Sequence, residues 1–520
     1  MSSPPSPSSP GGAGRSTDAG SRSGPDPVLT VLAPLLIERA ALARALPGNT
    51  RVIHTGMGPA KSQRLDPPPG TGPVVITGVA GGLRPDLQPG DLLVATEIRG
   101  DGPAIPVPSA HLLAGALRRL GLRVHLGPLH SSPTVVHAAD RDGFGDALAV
   151  DMESAWLARR IQGRPFAVLR AIADTTDKPL LRPGTPVRSF QALRALRHAT
   201  PALTAWAAVA GVPREVVLAA PRSFCAGVER AIEIVDRCLE QFGAPVYVRR
   251  QIVHNTQVVR ELTEKGAVFV QEADEVPEGE VLVLAAHGVA PSVRKQAAER
   301  NLTVVDGTCP LVSKVHAEVR RFAQRGETVF LVGHSDHEEV EGTLGEAPEN
   351  VVVVATEDEV NLASVADPDQ VSYVTQTTLS RQDTSPVIKA LSERFPRLKA
   401  PPTEDICFAT TNRQAAVTAI AQQVDLVIVV GSANSSNSRR LVEVAQAAAG
   451  TRARLIDDPT ELDLTDLAGV HRIGVTAGAS APPDLVDALI TNLSGLGPVS
   501  QREHRVTDET VTFSLPPGVS

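Results

Sequence analysis

Short apolar runs recur along the whole chain, and nearly every one hands over to a segment with helical spacing. "GPVVITG", "DLLVAT", "PFAVLRAI", "EVVLAA", "EVLVLAA", "LTVVD", "TVFLVG", "DLVIVVG" and "RIGVTAG" are rich in Val, Ile and Leu and have the length of buried strands. "SAHLLAGALRRLG", "VDMESAWLARRI", "GVERAIEIVDRCLEQF" and "SKVHAEVRRFAQR" place apolar residues three and four apart, as a helix with one buried face does. Such alternation restricts the chain to α/β architecture with largely parallel sheets. At 520 residues it exceeds one ordinary domain. "TAWAAVAGVPREVVLAA" ends a helix at Gly211 and Pro213 and starts a strand, so two units are expected, over residues 27–212 and 213–520. The opening "MSSPPSPSSPGGAGRSTDAGSRSGPDP" has no apolar core of a secretory signal, and residues 1–26 read as a disordered Ser/Pro/Gly tail.

Three of the four cysteines share one setting. Cys225 follows "VVLAAPRSF", Cys309 follows "LTVVDGT" and Cys407 follows "TEDI"; each precedes a helical segment. At a helix N-terminus, unpaired N–H groups and the helix dipole favour a thiolate. Three thiolates from separate strand–helix units can converge on one centre, leaving a metal position open as catalytic metal sites do. The plain alternative is three independent buried cysteines, since free cysteine is among the most buried residue types. Cys238 lies inside a helical period with no turn beside it and reads as core.

Four cysteines are too few for a disulfide scaffold, which favours a cytoplasmic protein with reduced thiols. A net charge of −8 argues against general nucleic-acid binding, and no apolar run approaches the ~20 residues of a membrane span. Other strand ends carry polar groups: His254, His287, His337 with Glu339, Thr377, then Ser435, Ser436 and Asn437, and finally Ser480. Ligands in α/β sheets bind beyond the carboxyl ends of strands, and Ser/Asn loops entering helices donate to phosphate.

Residues 214 to about 515 resemble the LytB/IspH family, the 4-hydroxy-3-methylbut-2-enyl diphosphate reductases of the non-mevalonate isoprenoid pathway. "FCAGVERAI", "VYVRRQIVHN", "AAHGV", "TCPLVSKVH", "GHSDHEEVEGT", "TQTTLS", "DICFATTNRQ", "GSANSSNSRRL" and "VTAGASAP" carry the resemblance in order. It implies a trefoil of three α/β units around a central [4Fe–4S] iron–sulfur cluster held by Cys225, Cys309 and Cys407. It implies a diphosphate bound by His254, His287, Ser435, Ser436, Asn437 and Ser480, and a proton relayed by Glu339 with His337 and Thr377. Two electrons, from an external donor of the ferredoxin or flavodoxin class, would remove the substrate hydroxyl to give isopentenyl and dimethylallyl diphosphate. "EHRVTDETVTFSLP" fits that family's C-terminal strand, and Ser223 stands where the family commonly has glycine.

"VVITGVAGGLRPDLQPGDLLVAT", "AVDMESAWLA" and "VLRAIADTTDK" resemble the nucleoside phosphorylase and nucleosidase superfamily. The resemblance implies that Glu153 binds ribose hydroxyls, Asp174 protonates a purine, and Glu38 orients water, in a domain either active or kept for assembly. After "TGMGPAK" the chain offers "SQRLDPPPGTG" and no helix is expected before the next strand. Other readings are a cluster-dependent dehydratase of another diphosphate, a zinc-binding scaffold, and a nucleosidase with a non-catalytic iron–sulfur module.

Overall fold

The protein is described by a computed structural model over residues 28–68, 70–161, 163–178 and 185–519; the tail read over residues 1–26 lies outside them. The first half builds one eight-stranded sheet. Leu29–Ala33 pairs in parallel with Thr50–His54 and with Val74–Gly82, and Val74–Gly82 pairs in parallel with Phe166–Asp174. Leu92–Gly100 runs parallel to Val124–Ser131 but antiparallel to Phe166–Asp174, so the sheet is mixed. Two local expectations change. "PAKSQR" forms the helix Pro59–Arg64, with proline at its first position, where its fixed φ suits a helix and no N–H is needed. "VDMESAWLARRI" divides into a strand, Ala149–Asp151, and only a short helix, Ser154–Ala158.

The second half has three smaller sheets, parallel throughout. One holds Ala267–Val270, Val246–Arg249, Val281–Leu284 and Thr303–Asp306 in that order. Another holds Val351–Val354, Thr328–Val332 and Val371–Thr375. The last joins distant parts of the chain, in the order Arg452–Ile456, Leu426–Val430, Arg472–Ala477, Arg214–Ala220 and Val499–Arg505. The C-terminal strand ends at Arg505; residues 506–519 continue without regular structure against the rest of this half. Among the described residues no helix is long and apolar enough to cross a membrane.

The halves share a core. One buried apolar cluster runs from Leu29, Leu113 and Trp206 to Val216, Leu464, Ile473 and Leu489. Trp206 is fully buried and its Nε1–H donates to Ser109 Oγ at 3.2 Å. At the edge, Arg119 donates to Thr460 O and Leu462 O and pairs with Asp463 at 3.4 Å. A pair this exposed contributes under ~1 kcal/mol, whereas each large apolar side chain buried here contributes about 1.5–3 kcal/mol, so the joint is hydrophobic.

Two glycines set how close the halves come. A Cβ on Gly115 of the helix Ala110–Arg119 would stand 1.9 Å from Thr460 O, and one on Gly495 would stand 2.3 Å from Ser109 N. Gly115→Ala should gain up to ~1 kcal/mol of helix propensity and lose about 1–3 kcal/mol to overpacking against backbone. The net loss is expected as a lower denaturation midpoint for both halves together.

Candidate functional site

Each of the three cysteines caps a helix where the chain passes from one sheet to another. Cys225 leaves the strand Arg214–Ala220 and caps Ala226–Phe242, which packs on Val246–Arg249 and Val281–Leu284 of the neighbouring sheet. Cys309 follows Thr303–Asp306 and caps Pro310–Gln324, which packs on Thr328–Val332 and Val371–Thr375. Cys407 caps Phe408–Ala421, which packs back on Arg214–Ala220 and Arg472–Ala477. The sequence led us to expect strand, cysteine and helix within one unit; instead every cysteine lies at a junction between units.

The junctions meet at a cavity of about 120 Å³ lined by all three cysteines with His254, His287, His337, Glu339, Thr377, Ser435, Ser436, Asn437 and Ser480. Every residue expected at the cysteine and diphosphate sites therefore faces one space, and Cys238 lies apart in the core of its helix. Gly227 floors it: a Cβ there would lie 2.7 Å from Cys309 Sγ and 3.9 Å from Cys225 Sγ, so a side chain would fill the cradle. Burial pushes the Cys309 thiol up to about 11 and the Cys407 thiol up to about 12, against the hydrogen bonds each receives. At Cys309 and Cys407 burial thus outweighs the helix N-terminus, and a bound cationic group would draw off their protons. Ser223, two residues before Cys225, has a φ of 61°, a left-handed conformation that glycine adopts without strain.

The polar wall is built from helix starts. His337 caps Glu338–Leu344 by accepting the Glu339 N–H on Nδ1 at 3.2 Å, which fixes the proton on Nε2, an atom with no partner. Glu339 is 3% exposed and accepts from Thr377 N at 2.7 Å and Thr377 Oγ1 at 3.0 Å. Burial outweighs those bonds and pushes its carboxyl up to about 7. The rings of His254 and His287 stack with centroids 4.1 Å apart. Burial drives His254 down to about 3 and both His287 and His337 down to about 4, so all three are neutral, and His287 donates its one N–H from Nε2 to Gln251 O at 3.1 Å. Ser435 caps the helix Ser436–Ala449, Asn437 accepts from Ala479 N at 2.9 Å, and Ser480 donates to His254 O at 2.9 Å.

Reading motifs left three residues unnoticed. Thr410 bonds Cys407 Sγ, Phe513 of the C-terminal segment lines the cavity, and Arg439 borders an adjoining cavity with His254 and His337. All three lie within stretches quoted above, but no residue type or spacing singles them out there.

The first half has its own cavity, about 570 Å³, lined by Glu38, Glu153 and Asp174 among others. Glu38 accepts from Leu35 N and Val79 N, both at 2.8 Å, and Glu153 accepts from Gly58 N at 3.0 Å. Burial holds all three carboxyls above the usual range, Glu153 at about 6. Asp174 pairs with buried Arg141, a partner the sequence did not foreshadow.

The family described as LytB protein matches residues 216–494, and the Phosphorylase superfamily matches residues 48–200. Over 305 residues the chain is 56% identical to 4-hydroxy-3-methylbut-2-enyl diphosphate reductase 1 of Mycobacterium tuberculosis, covering 58% of this chain and 92% of that protein. The corresponding reductase of Acidothermus cellulolyticus is 54% identical over 304 residues, covering 58% and 89%. A solved E-1-hydroxy-2-methyl-but-2-enyl-4-diphosphate reductase from Plasmodium falciparum superposes with a TM-score of 0.56 at 36% identity, covering 58% of this chain and 96% of that one. With the matched region spanning more than half of its length and containing all three capping cysteines, this chain belongs to the LytB protein family.

Proposed function

We propose that the second half reductively dehydroxylates 4-hydroxy-3-methylbut-2-enyl diphosphate to isopentenyl and dimethylallyl diphosphate in the cytoplasm; reduction of that diphosphate is the activity its relatives are named for. The observation that carries this reading is the convergence of three buried thiols, a near-neutral buried carboxyl and neutral histidine donors on one cavity. In this reading Cys225, Cys309 and Cys407 hold a [4Fe–4S] cluster, which when bound supplies two electrons taken from an external ferredoxin- or flavodoxin-class donor. The spacing of the thiols supports a cluster over a single ion. Among the described residues, the group whose ligand atoms all lie within 4.8 Å of one another is His254, His287 and Glu338, not the cysteines. Thiolates on one zinc at ~2.3 Å would stand closer than that.

The protein's own residues do the rest. His254, Asn437 and the hydroxyls of Ser435 and Ser436 donate to the diphosphate, His287 and Ser480 line the same space with their protons on Gln251 O and His254 O, and the helix start at Ser436 adds main-chain N–H groups. Thr377 orients Glu339, whose carboxyl keeps a proton near neutral pH and gives it to the departing hydroxyl. Together the two electrons and two protons convert the C–O bond into a C–H bond and water. His337 Nε2–H faces the same space and supports the transfer.

Glu339→Gln should lower kcat about 10²–10⁴-fold with little change in substrate affinity, because the amide still hydrogen-bonds but gives up no proton. The wild-type kcat should fall as pH rises through about 7, where Glu339 loses its proton, and the variant should lack that limb. Cys309→Ser should abolish anaerobic turnover and cluster absorbance, whereas Cys238→Ala should keep both and lose only stability.

A second reading applies to the first half, where Glu38, Glu153 and Asp174 face one cavity. It is a purine-nucleoside centre that cleaves a glycosidic bond, Asp174 giving a proton to the base and Arg141 stabilising the carboxylate left behind. The full chain should release base from a panel of purine nucleosides and Glu153→Gln should lose that release; an inactive wild type would leave this half an assembly module.

A further inference from the structure

Each helix capped by one of the three cysteines carries a cation near its start. Arg230 lies five residues after Cys225, Lys314 five after Cys309 and Arg413 six after Cys407. None of them lines the cavity; each bonds the stretch that leads to another of the three cysteines.

Arg230 donates from Nη1 to Thr308 O at 3.1 Å and Gly307 O at 3.4 Å, the two residues before Cys309. Lys314 donates to Thr403 O at 3.1 Å, Glu404 O at 2.9 Å and the Asp405 carboxylate at 3.1 Å, the segment leading to Cys407. Arg413 donates to Ser223 O at 2.8 Å and Phe224 O at 3.0 Å, the two residues before Cys225. The cycle closes: helix of Cys225 to turn of Cys309, helix of Cys309 to approach of Cys407, helix of Cys407 to turn of Cys225. Two of these cations also hold the C-terminal segment, Arg230 through Ser514 O at 2.7 Å and Arg413 through the Glu509 carboxylate at 3.1 Å.

From this closed cycle, and resting on the reading that the cysteines hold an iron–sulfur cluster, we infer that Arg230, Lys314 and Arg413 are positioning residues that fix the three sulfurs relative to one another and tune the bound group. Three junctions between separate sheets have no shared backbone ladder to hold them at a set distance; cations gripping main-chain carbonyls supply that link without depending on side chains in the turns. A guanidinium offers several donors in a rigid fork, which suits Arg413, whose 0% exposure leaves no water to satisfy Ser223 O and Phe224 O. Lys314 and Arg413 each face a carboxylate, Asp405 and Glu509, whereas among the described residues Arg230 bonds carbonyls and forms no ion pair. Positive charge close to a reducible group favours its reduced form, so Arg230 raises the midpoint potential.

The test is anaerobic reconstitution of the full chain, reading iron and acid-labile sulfide per chain, iron loss to a chelator, the electron paramagnetic resonance of the reduced protein and its midpoint potential. Arg413→Gln and Lys314→Gln should lose iron about 10-fold faster, the scale at which outer partners of metal ligands act. Arg230→Gln should also move the potential to more negative values, and Arg230→Lys should restore the potential but not iron retention, because one ammonium cannot span both Thr308 O and Ser514 O. If Arg413→Gln fails to fold, the half-buried Lys314→Gln and the conservative Arg230→Lys still decide the matter. Glutamine variants that load, retain and reduce iron as the wild type does, with an unchanged resonance, would overturn the inference. A wild-type chain that takes up no iron would overturn the cysteine reading itself, and this one with it.

Discussion

The structure depends on one topological constraint: the three sulfurs belong to no single sheet. Each stands where the chain leaves one layer and begins a helix on the next, so their convergence is a property of three sheets packed together. Nothing local could assemble the site. The sheet formed from Arg214–Ala220, Leu426–Val430, Arg452–Ile456, Arg472–Ala477 and Val499–Arg505 closes the circle by bringing the ends of this half side by side. Cysteine geometry is thereby set by the slowest kind of contact to form, pairing between strands far apart in the chain.

Burial governs the chemistry inside that circle and drives six of its groups toward neutrality. The Cys309 and Cys407 thiols and the Glu339 carboxyl are pushed up, and the imidazoles of His254, His287 and His337 down. For Cys309 the rise from the ordinary value of 9.0 to about 11 corresponds to about 3 kcal/mol, well above the ~0.3–1 kcal/mol a helix N-terminus returns. The cavity is thus built for guests that bring their own charge: a cationic group at the sulfurs, a polyanion at the histidines and serines.

Much of this was legible beforehand. The Val- and Ile-rich strands, the three cysteines before helices and the polar strand ends could be read because each writes a period or a residue type into the sequence. What stayed hidden has physical reasons. Leu29–Ala33, buried at every position, has no alternation to distinguish strand from helix. The pairing of Arg214–Ala220 with Val499–Arg505 spans most of the second half and leaves no local mark. Arg230 and Arg413 bind carbonyls, which every residue possesses, so no partner motif announces them. Arg141 beside Asp174 escaped notice because the two meet only across the cavity of the first half.

The shared core between the halves has a consequence for how such a gene can change. Trp206, Leu464, Ile473 and Leu489 belong to one buried cluster drawn from both parts, and Gly115 and Gly495 leave no room for a cushion between them. Cutting the reading frame near residue 212 would expose a greasy face on each product, so neither could be inherited, expressed or discarded alone without first rebuilding its surface. Selection on either half therefore falls on both, and a lineage keeps the pair in strict one-to-one proportion.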